Sequence, residues 1–241
     1  MVEGRQAVRE LLRARRRAVH RLLVAETAGE AGALAEILDL AGAAGVPVRR
    51  VGRDALLAGA QTDAPQGVVA FAEPVPEASL EDLLAGPAPF LVVLDGVTDP
   101  HNVGAVMRSA LCAGATGIIL GRHRAPSIGP VVTKAAAGAV EWLPVAIAAG
   151  VPSALSDLRA AGVWTVGLEA GAPTRLWDLA VATEPIAVVL GDEGHGLGRL
   201  TRQRCELLVG VPLVGPLGSL NVSAAAALSC FEVARRRAAA H

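Results

Sequence analysis

The first seventy residues switch between two hydrophobic periods. In VEGRQAVRELLRA, Val8, Leu11 and Leu12 recur at helical spacing, and HRLLVAE follows as a short strand. AGALAEILDLAGAAGVPVRRV reads as a helix stopped at Gly45 and then a strand. RDALLAGA adds a short helix and QGVVAFAE another strand, so residues 1–72 form a small α/β unit. Residues 73–89, EPVPEASLEDLLAGPAP, hold four of the fifteen prolines and read as a linker around a short helix, SLEDLLA. From Phe90 the texture changes. The runs FLVVL (90–94), GIIL (117–120), VWTVGL (163–168), IAVVL (186–190) and LLVGV (207–211) alternate with helical stretches. Strands apolar on both faces and separated by helices predict a parallel sheet covered on both sides, a second α/β domain over 90–241. Ligands of such sheets bind beyond the carboxyl ends of the strands. Chemistry is therefore expected in the loops DGVTDPHN, GDEGHG and VPLVGPLGSLN.

No charged residue occurs between Leu207 and Phe231. A membrane helix needs ~20 mostly apolar residues. Here Gly210, Pro212, Gly215, Pro216 and Gly218 break the first half, and Ser219, Asn221 and Ser223 would lie near the middle of the bilayer. The run reads instead as a strand, a tight Pro/Gly loop and a buried Ala-rich helix from about Asn221, and no membrane partner is expected.

Composition changes this picture little. Hydrophobic residues make up 52% of the chain, so a sizeable core is expected, although aromatics are 2%. The net charge of −1 gives no global attraction to nucleic acid, so such binding must come from local patches. One patch stands out. Residues 1–21 carry seven arginines against Glu3 and Glu10. Arg9, Arg13, Arg16 and Arg17 either neutralise RNA phosphates or form a solvated helix face. Cys112, Cys205 and Cys230 match no metal-binding spacing and are expected to be buried, reduced thiols, with no metal bound. The N-terminus lacks the apolar core of a secretory signal, and the expected location is cytoplasmic.

Three polar islands interrupt the second domain. In LDGVTDPHNVGAVMRSALCAG, Asn102 is the expected N-cap of a helix whose sole charge is Arg108. A guanidinium there either snorkels at the helix edge or grips phosphate by two parallel bonds. In VVLGDEGHGLGRLTRQ, four glycines after a strand suggest backbone close to a ligand. The run misses a dinucleotide fingerprint, since Arg199 stands where GxGxxG needs its third glycine. Asp192, Glu193 and His195 make a weak metal set; an acid at a strand end more often accepts hydrogen bonds. In the third island, helix capping explains one of Ser219, Asn221 and Ser223 but not all three.

In this order the islands resemble the SpoU (TrmH-like) family of RNA ribose 2′-O-methyltransferases, of the SPOUT class. NVGAVMRSA, LGDEGHGL and VPLVGPLGSLNVSAAAALSCFE match its three motifs, and EGRQAVRELL with the rest of 1–72 is similar to its small L30e-like RNA substrate-binding domain. The third motif often begins with Met where this chain has Leu213. The resemblance implies a SPOUT α/β-knot, a deep trefoil knot on a parallel sheet. It implies S-adenosylmethionine as cofactor, lined by Leu190, Gly191, Val211, Leu213, Leu220 and Ser223, and a site at a homodimer interface. It further implies catalytic roles for Asn102, Arg108, Glu193, Ser219 and Asn221. The implied substrate is RNA, with a guanosine of 23S rRNA foremost. Another rRNA nucleotide methylated for antibiotic resistance, or a tRNA ribose, are the alternatives. Arginine is a poor base, so Arg108 is expected to grip phosphate and stabilise the alkoxide. Two other readings compete: a non-enzymatic RNA-binding protein using the N-terminal arginines, and a Rossmann enzyme, which would need a GxG after the first strand of the domain.

Overall fold

The computed structural model describes residues 1–29, 31–62 and 64–240. The chain divides into two compact units, Met1–Pro76 with Ser127–Trp142, and Glu77–Pro126 with Leu143–His241. The sequence division differs from this one at residues 127–142, expected in the second domain, and at 73–89, expected as a linker but shared between the two units, with Leu83 in the core of the second.

The first unit begins with β1 (Val2–Glu3), α1 (Arg5–Ala14), β2 (Val19–Ala25), α2 (Ala33–Ala43), β3 (Val48–Val51), α3 (Arg53–Ala58) and β4 (Val68–Ala72). The four strands form one sheet in the order β1-β4-β2-β3, with β2 and β3 parallel and the other pairs antiparallel. Ala7, Val8, Leu11 and Leu12 line one stripe of α1 and are buried with Leu34 and Ile37 of α2 against Leu22, Val24, Val68 and Ala70. Each buried leucine of that stripe contributes about 1.5–3 kcal/mol. Leu56 of α3 covers part of the opposite face with Ala25, Val51 and Val69.

Residues 127–142 join this unit with Val132, Ala136, Ala139 and Val140 buried, and through polar contacts that hydrophobic periodicity cannot reveal. Arg17 donates to both carboxylate oxygens of Glu141, at 3.0 and 2.5 Å, with both side chains buried. Lys134, the chain's one lysine, donates to Thr62 Oγ1 at 3.1 Å and to the Ala64 carbonyl at 2.7 Å. Gly138 has φ +85°, and a Cβ there would meet Glu10 Cβ at 2.6 Å.

The second unit contains α4 (Leu80–Leu84), β5 (Phe90–Asp95), α5 (Pro100–Cys112), β6 (Gly117–Gly121), β7 (Val145–Ala148), α7 (Val151–Ala160), β8 (Trp164–Leu168), β9 (Thr174–Arg175), β10 (Ile186–Gly191), α8 (Arg199–Arg204), β11 (Leu207–Gly210) and α9 (Val222–Ala239); α6 is the helix Pro130–Ala135 of the inserted segment. Ser79 caps α4 in a reciprocal capping box with Asp82. The sheet runs β7-β6-β5-β10-β8-β11-β9, and every neighbouring pair is parallel. All five expected strands form. The two edge strands β7 and β9 were not expected: VAIA is short, and TR carries no apolar signal. The central strands are buried on both faces, as their continuous apolar runs require.

Two expectations of burial are corrected here, for the helix after Asn221 and for Cys112. The loop from Pro212 through Asn221 is exposed throughout. Leu213, Ser219 and Leu220 of this loop line a cavity nonetheless. The helix after it is half-buried. Val222, Ala226, Ser229, Cys230 and Val233 face inward and α9 packs along α5, while Leu228 and Phe231 face out. Cys112 is exposed as well; Cys205 is half-buried and Cys230 buried. Burial first, and for Cys205 also the charges of Asp95 and Glu169, pushes both of those thiols up to about 12, which leaves them unreactive.

Candidate active site

The strand registers bring three loops to one edge. Gly191 at the end of β10 pairs with Asp95 at the end of β5. The turn after Gly191 folds back tightly. A Cβ on Gly191 would lie 2.0 Å from the carbonyl carbon of Gly196, so only glycine fits. Asp192 Oδ1 accepts from the N–H groups of Gly194, at 2.8 Å, and His195, at 2.7 Å, and its carbonyl accepts from Gly196 at 3.0 Å. The His195 N–H, then that of Gly194, holds the Asp192 carboxyl below its ordinary value, so it stays ionised. Gly198 N–H donates to Asp95 Oδ2 at 2.9 Å and ties the far end of the turn to β5. Asp192 therefore shapes the loop. Among the described residues no group of three or more His, Cys, Asp or Glu could hold a metal ion, and no helix is long and apolar enough to cross a membrane.

This turn presents Glu193 to two helix N-termini. The N-cap of α5 is Asp99, which accepts from the His101 N–H at 2.9 Å with Pro100 at the first helical position. The expectation that Asn102 caps this helix is thus corrected: proline at the first helical position places the cap one residue earlier in the chain, at Asp99. Asn102 lies inside the first turn, and its amide is free to donate to Glu193 Oε1. Asn221 is the N-cap of α9. Its Oδ1 accepts from the N–H of Ser223 at 2.9 Å and from the Ser223 hydroxyl. With the oxygen so committed, its Nδ2 turns to Asn102 Oδ1 at 3.1 Å and Glu193 Oε1 at 3.4 Å. Three residues far apart in sequence thereby form one hydrogen-bonded cluster.

Beside the cluster lies a cavity of about 450 Å³. Leu190, Gly191, Val211, Leu213 and Leu220 line it, as expected for the cofactor residues, and so do Glu193 and Ser219. Ser223 does not line it; capping takes its hydroxyl. Leu168 and Glu169, at the end of β8, line it and were missed. The rule that ligands bind at strand ends applied to that loop too, but no polar island marked it. Arg108 is exposed on α5 and, among the described residues, makes no hydrogen bond or ion pair, with this cluster or elsewhere. The structure does not bring it into the site within one chain.

The N-terminal arginines are mostly committed within the first unit. Arg9 and Arg13 pair with Glu10 and Glu36, Arg17 with Glu141, and Arg16 reaches the Glu141 carbonyl at 3.4 Å. Acids from α2 and from residues 127–142 meet the helix, partners that no hydrophobic period marks. Of this set Arg17 is buried in its ion pair, Arg9 and Arg13 are paired with acids, and Arg13 and Arg16 are exposed.

With this geometry in place, comparison with known proteins decides the family. The model of the SpoU rRNA Methylase family matches residues 89–231, more than half of the chain. This chain belongs to the SpoU rRNA methylase family. Residues 1–78 match a second model, RNA 2′-O ribose methyltransferase substrate binding. The chain is 42% identical over 205 residues to the 23S rRNA (guanosine-2′-O-)-methyltransferase RlmB of Ralstonia nicotianae, covering 84% of this chain and 82% of that one. It is 37% identical over 244 residues to RlmB of Pseudomonas putida, covering 98% and 96%. Among solved structures, the AdoMet-bound rRNA methyltransferase from Sinorhizobium meliloti matches with TM-score 0.81 and 26% identity over 98% of this chain and 86% of that one. The SpoU motifs of this chain are thus the three loops that meet at the carboxyl edge of β5, β10 and β11.

Proposed function

We propose that this SpoU methylase transfers a methyl group from S-adenosylmethionine to the ribose 2′-hydroxyl of a guanosine in 23S rRNA. The observation that carries the reading is the Asn102–Glu193–Asn221 cluster standing beside the glycine-bounded cavity. The cavity suits this cofactor. Its volume lies within the range of small-molecule sites. Leucines and valines offer an apolar wall, and the bare backbone of Gly196, with open space where a side chain would be, permits close approach. With Glu169 paired to Arg202, its remaining acids Asp192 and Glu193 suit a cationic sulfonium and ammonium, whereas a pyrophosphate would be repelled. Bound S-adenosylmethionine supplies a methyl group already activated by its positive sulfur.

The protein's task is then alignment and removal of one proton. Glu193 is held through Oε1, while Oε2 accepts no hydrogen bond among the described residues. Held by two amides, Glu193 fixes the donors of Asn102 and Asn221, which with Ser219 orient the ribose. Arg108 grips the adjoining phosphate and stabilises the developing alkoxide. It does so from the partner of a homodimer. In support, α5 and α9 pack together, Arg108 is exposed on α5, and Leu228 and Phe231 are exposed on α9. The knot is proposed on the family membership and the parallel strand order.

The test is a map of 2′-O-methylation on large-subunit rRNA from cells with and without the gene. One guanosine losing its methyl supports the reading. Loss at a tRNA ribose or at another rRNA nucleotide overturns the substrate, and no loss anywhere overturns the activity.

A further inference from the structure

Most arginines of the second unit are tied to acids or carbonyls, as Arg202 is to Glu169 and Arg237 to Ala88, Ala182 and Glu184. Arg122 and Arg124 are not. Both are exposed, and among the described residues neither side chain makes a hydrogen bond or ion pair. They follow Gly121, the last residue of β6. Leu120 pairs with Leu94 and Gly191 with Asp95, so the ends of β6, β5 and β10 stand side by side. The exit of β6 is two strand spacings, about 10 Å, from the exit of β10, where Asp192 and Glu193 follow.

Backbone and packing turn this loop toward the site. Arg124 has φ +61°, a left-handed conformation uncommon for a bulky side chain. A Cβ on Gly96 would lie 3.8 Å from Asp192 Oδ2 and 3.9 Å from Arg124 Cζ, so guanidinium and carboxylate flank the same glycine without forming an ion pair. The electrostatics call for such a cation. Arg202 also lines the cavity and offsets Glu169, but Asp192 and Glu193 leave it negative, which suits a cationic methyl donor but repels the backbone of an RNA. Unpaired guanidiniums next to those acids offset the repulsion where the strand must lie.

We propose that Arg122 and Arg124 form a phosphate clamp that holds the RNA backbone on the carboxyl edge of the sheet, beside the Asn102–Glu193–Asn221 cluster. The proposal rests on the reading of the chain as an RNA methyltransferase. The test compares wild-type protein with Arg122→Gln/Arg124→Gln. A 23S rRNA transcript is bound across a series of KCl concentrations, and S-adenosylmethionine binding is followed by calorimetry. The double variant is expected to keep its cofactor affinity and to bind the transcript about tenfold more weakly or worse. Its slope of log affinity against log salt should be shallower by about 1.4, with about 0.7 lost in each single variant. Arg122→Lys/Arg124→Lys should restore the slope while recovering only part of the affinity, because lysine keeps the charge without the fork. Unchanged RNA affinity and slope in the double variant overturn the clamp. Wild-type protein that binds the transcript but methylates nothing overturns the proposed function, and the salt slopes still decide the clamp.

Discussion

Asn221 has two tasks, and one atom separates them. Its oxygen caps α9 and its nitrogen reaches Asn102 and Glu193. Asn221→Asp keeps the cap, since aspartate caps as well as asparagine. It removes the donor and sets a second carboxylate against Glu193. Methyl transfer is expected to fall about 10²-fold or more, with thermal stability within about 1 kcal/mol of wild type. Full activity would remove the cluster from the site. Asp192 makes a pH prediction. Its carboxyl is held below the ordinary aspartate value of 3.8, chiefly by the His195 N–H. A depressed carboxylate contributes stability that is fully present above the unfolded value and lost as pH falls through the folded one. The difference in melting temperature between wild type and Asp192→Asn should therefore be constant from pH 7 to 5 and shrink below about pH 4. A difference that fades between pH 7 and 5 would assign the effect to another group.

The Arg17–Glu141 pair carries the next prediction, at the level of the element. The helix 130–135 and the turn after it attach to the first unit partly through this buried fork. Removing one partner of a buried pair strands the other charge, at a cost of about 3–5 kcal/mol. Arg17→Met should lower unfolding stability by that amount in a denaturant titration and leave the salt dependence of RNA binding unchanged. A shallower salt slope with no loss of stability would restore the phosphate-binding reading of Arg17. The same pair marks the limit of what the sequence can convey about elements. The strands of the second unit were legible because a strand buried on both faces must be apolar throughout, as Phe90–Asp95 is until its last residue. The attachment of 127–142 was illegible because its specific contacts are single polar ones, Lys134 to Thr62 and Arg17 to Glu141, and its buried Val132, Ala136, Ala139 and Val140 do not tell which unit covers them. Asn102 was misjudged for a local reason: a proline at the first helical position outweighs the capping preference of an asparagine two residues later.

For the whole molecule, the sequence motifs named Asn102, Glu193 and Asn221 together, and the strand registers explain their meeting. Arg108 belongs to the same motif as Asn102 but not to the same cluster, because six residues of helix carry it round and away. A two-fold symmetric dimer resolves this if α5 and α9 of one protomer face those of its partner, since each site then receives Arg108 from across the interface. The exposed Leu228 and Phe231 supply apolar surface for that contact, at 40% and 51% exposure. Phe231→Glu should then yield a folded, inactive monomer by sedimentation. Mixing decides whose arginine serves which site. Arg108→Ala and Glu193→Gln are each expected to be inactive alone. After random reassortment half of the dimers are mixed, and each mixed dimer has one site with both residues intact, so activity should return to about a quarter of wild type. If Arg108 instead serves its own chain, every site in the mixed dimer lacks one residue or the other, and mixing restores nothing.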